Sequence, residues 1–158
     1  MPTIVEPISH TLQYKLQHII SFLSQVKRGF DSIAEEVDCA NLRSALTAVS
    51  VECRQYAKEI RDQLEPYGIH IPVDYSDQAW KQIEESVSAD ASMMPGGEIA
   101  SLCNNCETCF SQLYEDVLKE DFPGRNLKAL ISYQLYASRC AFMKIRLLNT
   151  LRFNDVID

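Results

Sequence analysis

Three of the chain's six cysteines fall within seven residues, Cys103-Asn-Asn-Cys106-Glu-Thr-Cys109. Three chemistries use cysteines spaced this closely: a zinc clamp, an iron–sulfur ligand set and a redox Cys-x-x-Cys pair. Each asks for a particular backbone. Zinc knuckles hold a Cys-x-x-Cys on a tight turn and take a second pair from elsewhere. Iron–sulfur ligands favour irregular backbone, and a redox thiol gains reactivity at a helix N-terminus. No glycine or proline lies inside this stretch, and a helical apolar pattern runs straight through it from about two turns upstream. At 100° per residue the three thiols step through ~120° of helix surface while climbing ~9 Å. The spacing puts Cys106 and Cys109 on the buried seam and Cys103 beside it. Free cysteine behaves as a small hydrophobe, so the stretch reads mainly as core. A second reading stays open. Cys53, Cys106, Cys109 and Cys140 fall near the middles of their helices, and four thiolates at one level suit a soft metal.

The other chemical side chains are sparse. His10 and His18 lie eight residues apart, two turns distant on one helical face, and His70 stands alone. No glycine-rich phosphate loop or nucleophile elbow is present. Tyr56, Tyr114, Tyr133 and Tyr136 can line a pocket between helices or pack at seams with their hydroxyls satisfied.

The elements that must position these residues are helices. A first segment, about 9–37, places Leu12, Leu16, Ile19, Leu23, Val26, Phe30, Ile33 and Val37 at alternating four- and three-residue steps, a seam of 3.5-residue period. A second, about 40–66, repeats it with Leu42, Leu46, Val49, Cys53, Tyr56 and Ile60, with Asp38 as its expected N-cap. The link between them is short enough for a tight αα-hairpin. Pro66-Tyr-Gly68 and Pro72 break the pattern, and a short helix is expected at about 77–89 on a long crossover. A third helix, about 97–121, carries Ile99, Leu102, Cys106, Cys109, Leu113 and Val117, and Phe122-Pro-Gly124 ends it. The fourth, about 125–153, is apolar over more than half its girth and is expected to be the most buried.

Two hairpins joined by one long crossover describe a single all-α domain over 1–158, a ferritin-like four-helix bundle running up-down-down-up. The runs "LSQVKRGFDSIAEEV", "NLRSAL", "QYAKEIRDQLEPYG" and "FPGRNLKALISYQL", with the Trp80-bearing crossover, resemble an uncharacterised bacterial family of ferritin-like bundles. The likeness spans about residues 12–150 and includes Gly29-Phe30 followed by Ala34-Glu35-Glu36. It implies the fold and no established activity. Near Ala141-Phe142, where relatives often carry histidine, this chain is apolar.

A ferritin-like bundle raises the question of a di-iron centre, which takes one Glu from each of two helices and Glu-x-x-His from each of the others. Glu35, Glu36, Glu52, Glu59 and Glu107 are available, but residues 122–153 hold no Asp, Glu or His, and no Glu-x-x-His occurs anywhere. The fourth helix has no such ligand to offer. No cofactor is expected.

A net charge of −7 disfavours nucleic acid or an anionic membrane as the main partner. The charge is uneven: residues 1–121 hold 9 basic and 20 acidic side chains, and 122–158 hold 6 and 2. A basic last helix beside acidic ones is electrostatically self-complementary. No basic n-region precedes an apolar run at the start, and no stretch reaches the roughly 20 apolar residues of a membrane span. A cytoplasmic location with reduced thiols is the expectation. The leading reading is a non-enzymatic bundle acting through protein–protein contacts as a homodimer, since the broad apolar girth of the fourth helix and the wide apolar content of the first are expected to exceed what one bundle buries. The alternatives are a metal-binding or redox-responsive bundle using the mid-helix cysteines, and a carrier of a small apolar ligand.

Overall fold

The computed structural model describes residues 7–72 and 97–154, with side chains to residue 151. The short helix expected at 77–89 lies outside the described residues. The rest is helical, with no strand among the described residues: α1 (His10–Glu36), α2 (Ala40–Leu64) with a 3-10 turn at Glu65–Tyr67, α3 (Gly97–Leu118) and α4 (Arg125–Asn154).

The helix ends follow from local chemistry. Ser9 is extended and its hydroxyl accepts from the Leu12 N–H at 3.1 Å, satisfying one of the free donors of the first turn of α1. At the other end, the Arg43 guanidinium donates from α2 to the Val37 carbonyl, with Nε at 2.9 Å. That bond pins the hairpin from outside. Asp38 is not the N-cap of α2. The position belongs to Cys39, which makes no side-chain capping bond; its carbonyl accepts from the Arg43 N–H at 2.9 Å and closes the first turn. After α2, Gly68 takes φ 75°, a left-handed conformation suited to glycine, and its N–H donates to the Glu65 carbonyl at 2.9 Å. α3 stops at Leu118, before the Phe122-Pro-Gly124 break, in a turn where the Glu120 N–H donates to the Val117 carbonyl at 3.0 Å.

α1 packs on α2 and α3, and α4 packs on α2 and α3. The backbones of α2 and α3 do not meet, nor do those of α1 and α4; each pair faces the other across the core. The seams expected for α1 and α2 are buried throughout, except that Ile33 is only half covered. α1, not α4, is the most enclosed helix: Ile19 to Leu23 is an unbroken buried run. α4 buries a single stripe, Leu127, Ile131, Gln134, Leu135, Ser138, Phe142, Ile145 and Asn149.

Aromatic rings tie the middle together. Phe110 of α3 meets Phe22 of α1 edge-to-face at 5.5 Å and Phe142 of α4 at 5.9 Å, and it stacks on Tyr114 at 4.7 Å. Phe142 in turn meets Phe30 at 6.0 Å. Such pairs add about 0.5–1.5 kcal/mol each beyond their burial. Phe110→Ala removes three of these contacts at once and is expected to cost about 3–5 kcal/mol, against roughly 1 kcal/mol for Cys106→Ala beside it. Chemical denaturation of the two variants measures the difference.

Candidate functional site

The cysteine stretch lies on α3 as an uninterrupted helix, but rotated from the expected seam. Cys103 and Cys106 are fully buried, and Cys109 is half covered. The buried line runs Ile99, Leu102, Cys103, Cys106, Phe110, Tyr114, Val117. Phe110 and Tyr114 set this rotation, because burying two large rings outweighs burying Cys109 and Leu113. Cys53 of α2 shares the layer: it and Cys106 are close enough that ionising one would disfavour ionising the other. Cys140 does not join them. It is exposed on the far side of α4.

Burial raises all three inner thiols. Cys103 is pushed up to about 12. Cys53 and Cys106 also rise, by desolvation first; the Glu52 carboxylate adds to the rise at Cys53, and competing ionisation of the neighbouring thiols adds to it at Cys106. These sulfurs are held as neutral thiols, whereas soft-metal ligation and redox exchange use thiolate. Among the described residues no three His, Cys, Asp or Glu side chains are grouped so as to hold a metal ion.

The carboxylates considered for a di-iron centre are dispersed. Glu35 and Glu36 are exposed, and Glu107 pairs with Arg146 at the α3–α4 edge. Glu52 is half-buried; desolvation raises its carboxyl above the ordinary value against the opposing Tyr56 hydroxyl and Lys144 ammonium. His10 is exposed, His18 stacks on Tyr14 at 6.4 Å, and His70 faces Glu65 at 3.2 Å on the surface.

The four tyrosines do not share a pocket. Tyr114 is fully buried, and its hydroxyl donates to Gln134 Oε1 at 2.7 Å. Gln134 Nε2 donates onward to the Tyr56 carbonyl at 3.2 Å. This relay joins α3, α4 and α2 and satisfies the buried hydroxyl. Tyr133 and Tyr136 point outward, 62% and 69% exposed. A cavity beside Glu52, Cys53, Phe110 and Phe142 has about 10 Å³ of free space, room for roughly one water.

Two surface features stand out instead. One is a groove between α1 and α2 lined by Lys27, Arg28, Arg54, Lys58 and Arg61, a local reversal of the chain's acidic balance. Lys27 is tied to Asp31 at 2.8 Å and Lys58 to Asp62 at 2.7 Å. The other is the outward face of α4, where Tyr133, Tyr136, Cys140, Met143 and Leu147 recur at alternating three- and four-residue steps, with Leu151 completing the line. At 100° per residue this line lies opposite the buried stripe of the same helix. Of this line, the broad apolar girth expected for α4 includes only Leu151.

No protein family, curated protein or solved structure gives a significant match to the chain. Among the described residues, no helix is long and apolar enough to cross a membrane.

Two outcomes follow from the thiol environments. In the single chain, at dilution below any self-association, Cys140 is expected to react fastest with an aromatic disulfide reagent, Cys39 and Cys109 slowly, and Cys53, Cys103 and Cys106 only on unfolding; reaction of all six at one rate under those conditions contradicts the burial pattern. The inner thiols also ionise more readily unfolded, near their ordinary 9.0, than folded. For Cys103 the stabilisation is therefore complete below that value and is lost as pH rises toward about 12, by roughly 1.4 kcal/mol per pH unit, and Cys53 and Cys106 act in the same direction. Denaturation midpoints that hold steady around neutral pH and fall in the alkaline range verify the sign.

Proposed function

We infer that this chain is a non-enzymatic bundle of the ferritin-like kind that works through protein–protein contacts, with a second copy of itself as partner. The observation that carries the reading is the outward seam of α4. Single apolar residues on a surface are ordinary. A line repeating every 3.5 residues over about 27 Å is the pattern of a helix packed on another helix. Nothing else in the described bundle covers it.

The direction of the helices supports the ferritin-like order. Lys15, early in α1, meets Glu120 just beyond α3 at 2.7 Å, while Phe22 further along meets Phe110. The two helices therefore run oppositely. Tyr56 with Gln134 and Glu52 with Lys144 say the same of α2 and α4. With two hairpins, that leaves α1 and α4 running one way and α2 and α3 the other, the up-down-down-up order. The resemblance to the bacterial family rests on the sequence runs that carry it. All six cysteines are unbridged, which fits a reducing, cytoplasmic setting.

A metal-binding or redox-responsive bundle has weaker support. Cys140 points away from the inner layer, and the inner thiols sit where burial opposes ionisation.

Light scattering after size exclusion, across the micromolar range, is expected to give a dimer. A leucine buried at an interface contributes about 1.5–3 kcal/mol, so Leu147→Glu is expected to weaken the dimer roughly tenfold or more. Its helical circular dichroism should not change, since Leu147 is exposed in the single chain. A wild-type monomer throughout that range sinks the reading.

A further inference from the structure

We propose that the two copies pair through α4 in antiparallel fashion, about a twofold axis that passes beside Cys140 and sets the two Cys140 thiols face to face. This rests on the self-association inferred above and specifies its geometry.

Three observations carry it. The first is size. Tyr133, Tyr136, Met143, Leu147 and Leu151 are 44–69% exposed. Together they offer on the order of 600 Å² per copy, at the upper end for patches on monomers and close to the ~800 Å² a side of a standard interface.

The second is self-complementarity, which a twofold interface demands because the same patch meets itself. With the axis at Cys140, Tyr133 of one copy lies opposite Leu147 of the other, and Tyr136 opposite Met143. Each large ring then meets a flexible aliphatic chain, and the smallest residue of the line sits at the crossing point. A parallel pairing sets tyrosine against tyrosine and aligns the helix dipoles, which antiparallel helices avoid.

The third is charge. α4 is the basic helix of an acidic chain, so two copies should repel. Arg139 is paired with Glu115 at 2.7 Å, and Arg146 is paired with Glu107, both within one copy. The six residues of the seam carry no charge at neutral pH. Two of the cations that flank it are neutralised before the second copy arrives, and the third, Lys144, has the Glu52 carboxylate near it.

The spacing of packed helices makes this pairing measurable. Axes about 8–10 Å apart and a Cα radius of ~2.3 Å leave facing Cα atoms roughly 3.4–5.4 Å apart at the crossing. That meets the lower part of the 4.4–6.8 Å window for a disulfide. Oxidation with diamide, an azo compound reduced to its hydrazine as two thiols become one disulfide, is the probe.

Full-length wild-type protein is expected to give a covalent dimer that a reductant reverses. Cys140→Ser is expected to abolish that band yet remain a dimer by light scattering. In the Cys140→Ser background, Leu147→Cys alone should give no covalent dimer, because in the antiparallel pair the two positions lie ~21 Å apart along the axis. Tyr133→Cys together with Leu147→Cys should restore it. A wild-type dimer whose Cys140 takes up a monofunctional maleimide but never cross-links overturns the pairing and leaves self-association standing. Cross-linking by Leu147→Cys alone means parallel helices and overturns it too. Cross-linking of Leu147→Glu as strongly as wild type marks random collision and does the same. A monomer in every assay removes both.

Discussion

The contact on which the bundle depends is Phe110, set edge-to-face against Phe22 and Phe142 and stacked on Tyr114. One ring therefore engages two other helices and the next turn of its own. Tyr114 extends the tie through Gln134 to the Tyr56 carbonyl, which brings in α2. All four helices are registered at one level by rings and one amide. A buried amide relay of this kind stabilises only when each member is bonded, and here the hydroxyl, the amide oxygen and the amide nitrogen each have a partner. The middle layer of the bundle is filled by hydrocarbon, thiol and amide. The free space left beside it fits about one water.

Filling the centre this way shapes α4. Its inward stripe has to accommodate the relay, so it includes Gln134 and Ser138, and its outward stripe is the more uniformly apolar of the two. The ion pairs at its edges, Arg139 to Glu115 and Arg146 to Glu107, fasten α4 to α3 and neutralise two of its cations. The uneven charge along the chain is thus resolved at the α3–α4 edge. Exposed pairs of this sort add little to stability; their effect here is on what the outer surface can approach.

The sequence made the helices legible because hydrophobic period and breakers agreed: the α1 and α2 seams hold nearly residue for residue, and Gly68 is left-handed where the pattern stops. It was less legible where two near-equivalent faces competed. On α3 the choice between Cys106-Cys109-Leu113 and Cys103-Cys106-Phe110-Tyr114 differs by a small rotation, and only the neighbours' rings decide it. On α4 the residues Leu127, Leu130, Ile131, Leu135, Phe142, Ile145, Leu148 and Leu151 form a broad apolar girth that makes it look like the most buried helix, but Leu130 and Leu148 are only half covered and Leu151 is exposed. The N-cap of α2 fell to Cys39 instead of Asp38 because the Arg43 bond to the Val37 carbonyl fixes how tightly the chain turns, a tertiary cause that no local preference contains.

The six cysteines show how far residue type alone falls short of chemistry. The three nearest in sequence raise metal and redox chemistry but read mainly as core, and Cys103 and Cys106 are buried, where a thiolate loses its solvation; the Arg146 guanidinium near Cys103 offsets only part of that loss. The cysteine with access to chemistry is Cys140, which no motif marks and which sits alone in sequence. What distinguishes it is its face of the helix. On the inward face a thiol fills a gap between larger groups; on the outward seam the same small group leaves room for a second helix to approach. Proximity along the chain is a poor guide to reactivity here, because the helical period sends near neighbours inward and sets a distant one at the centre of the exposed line.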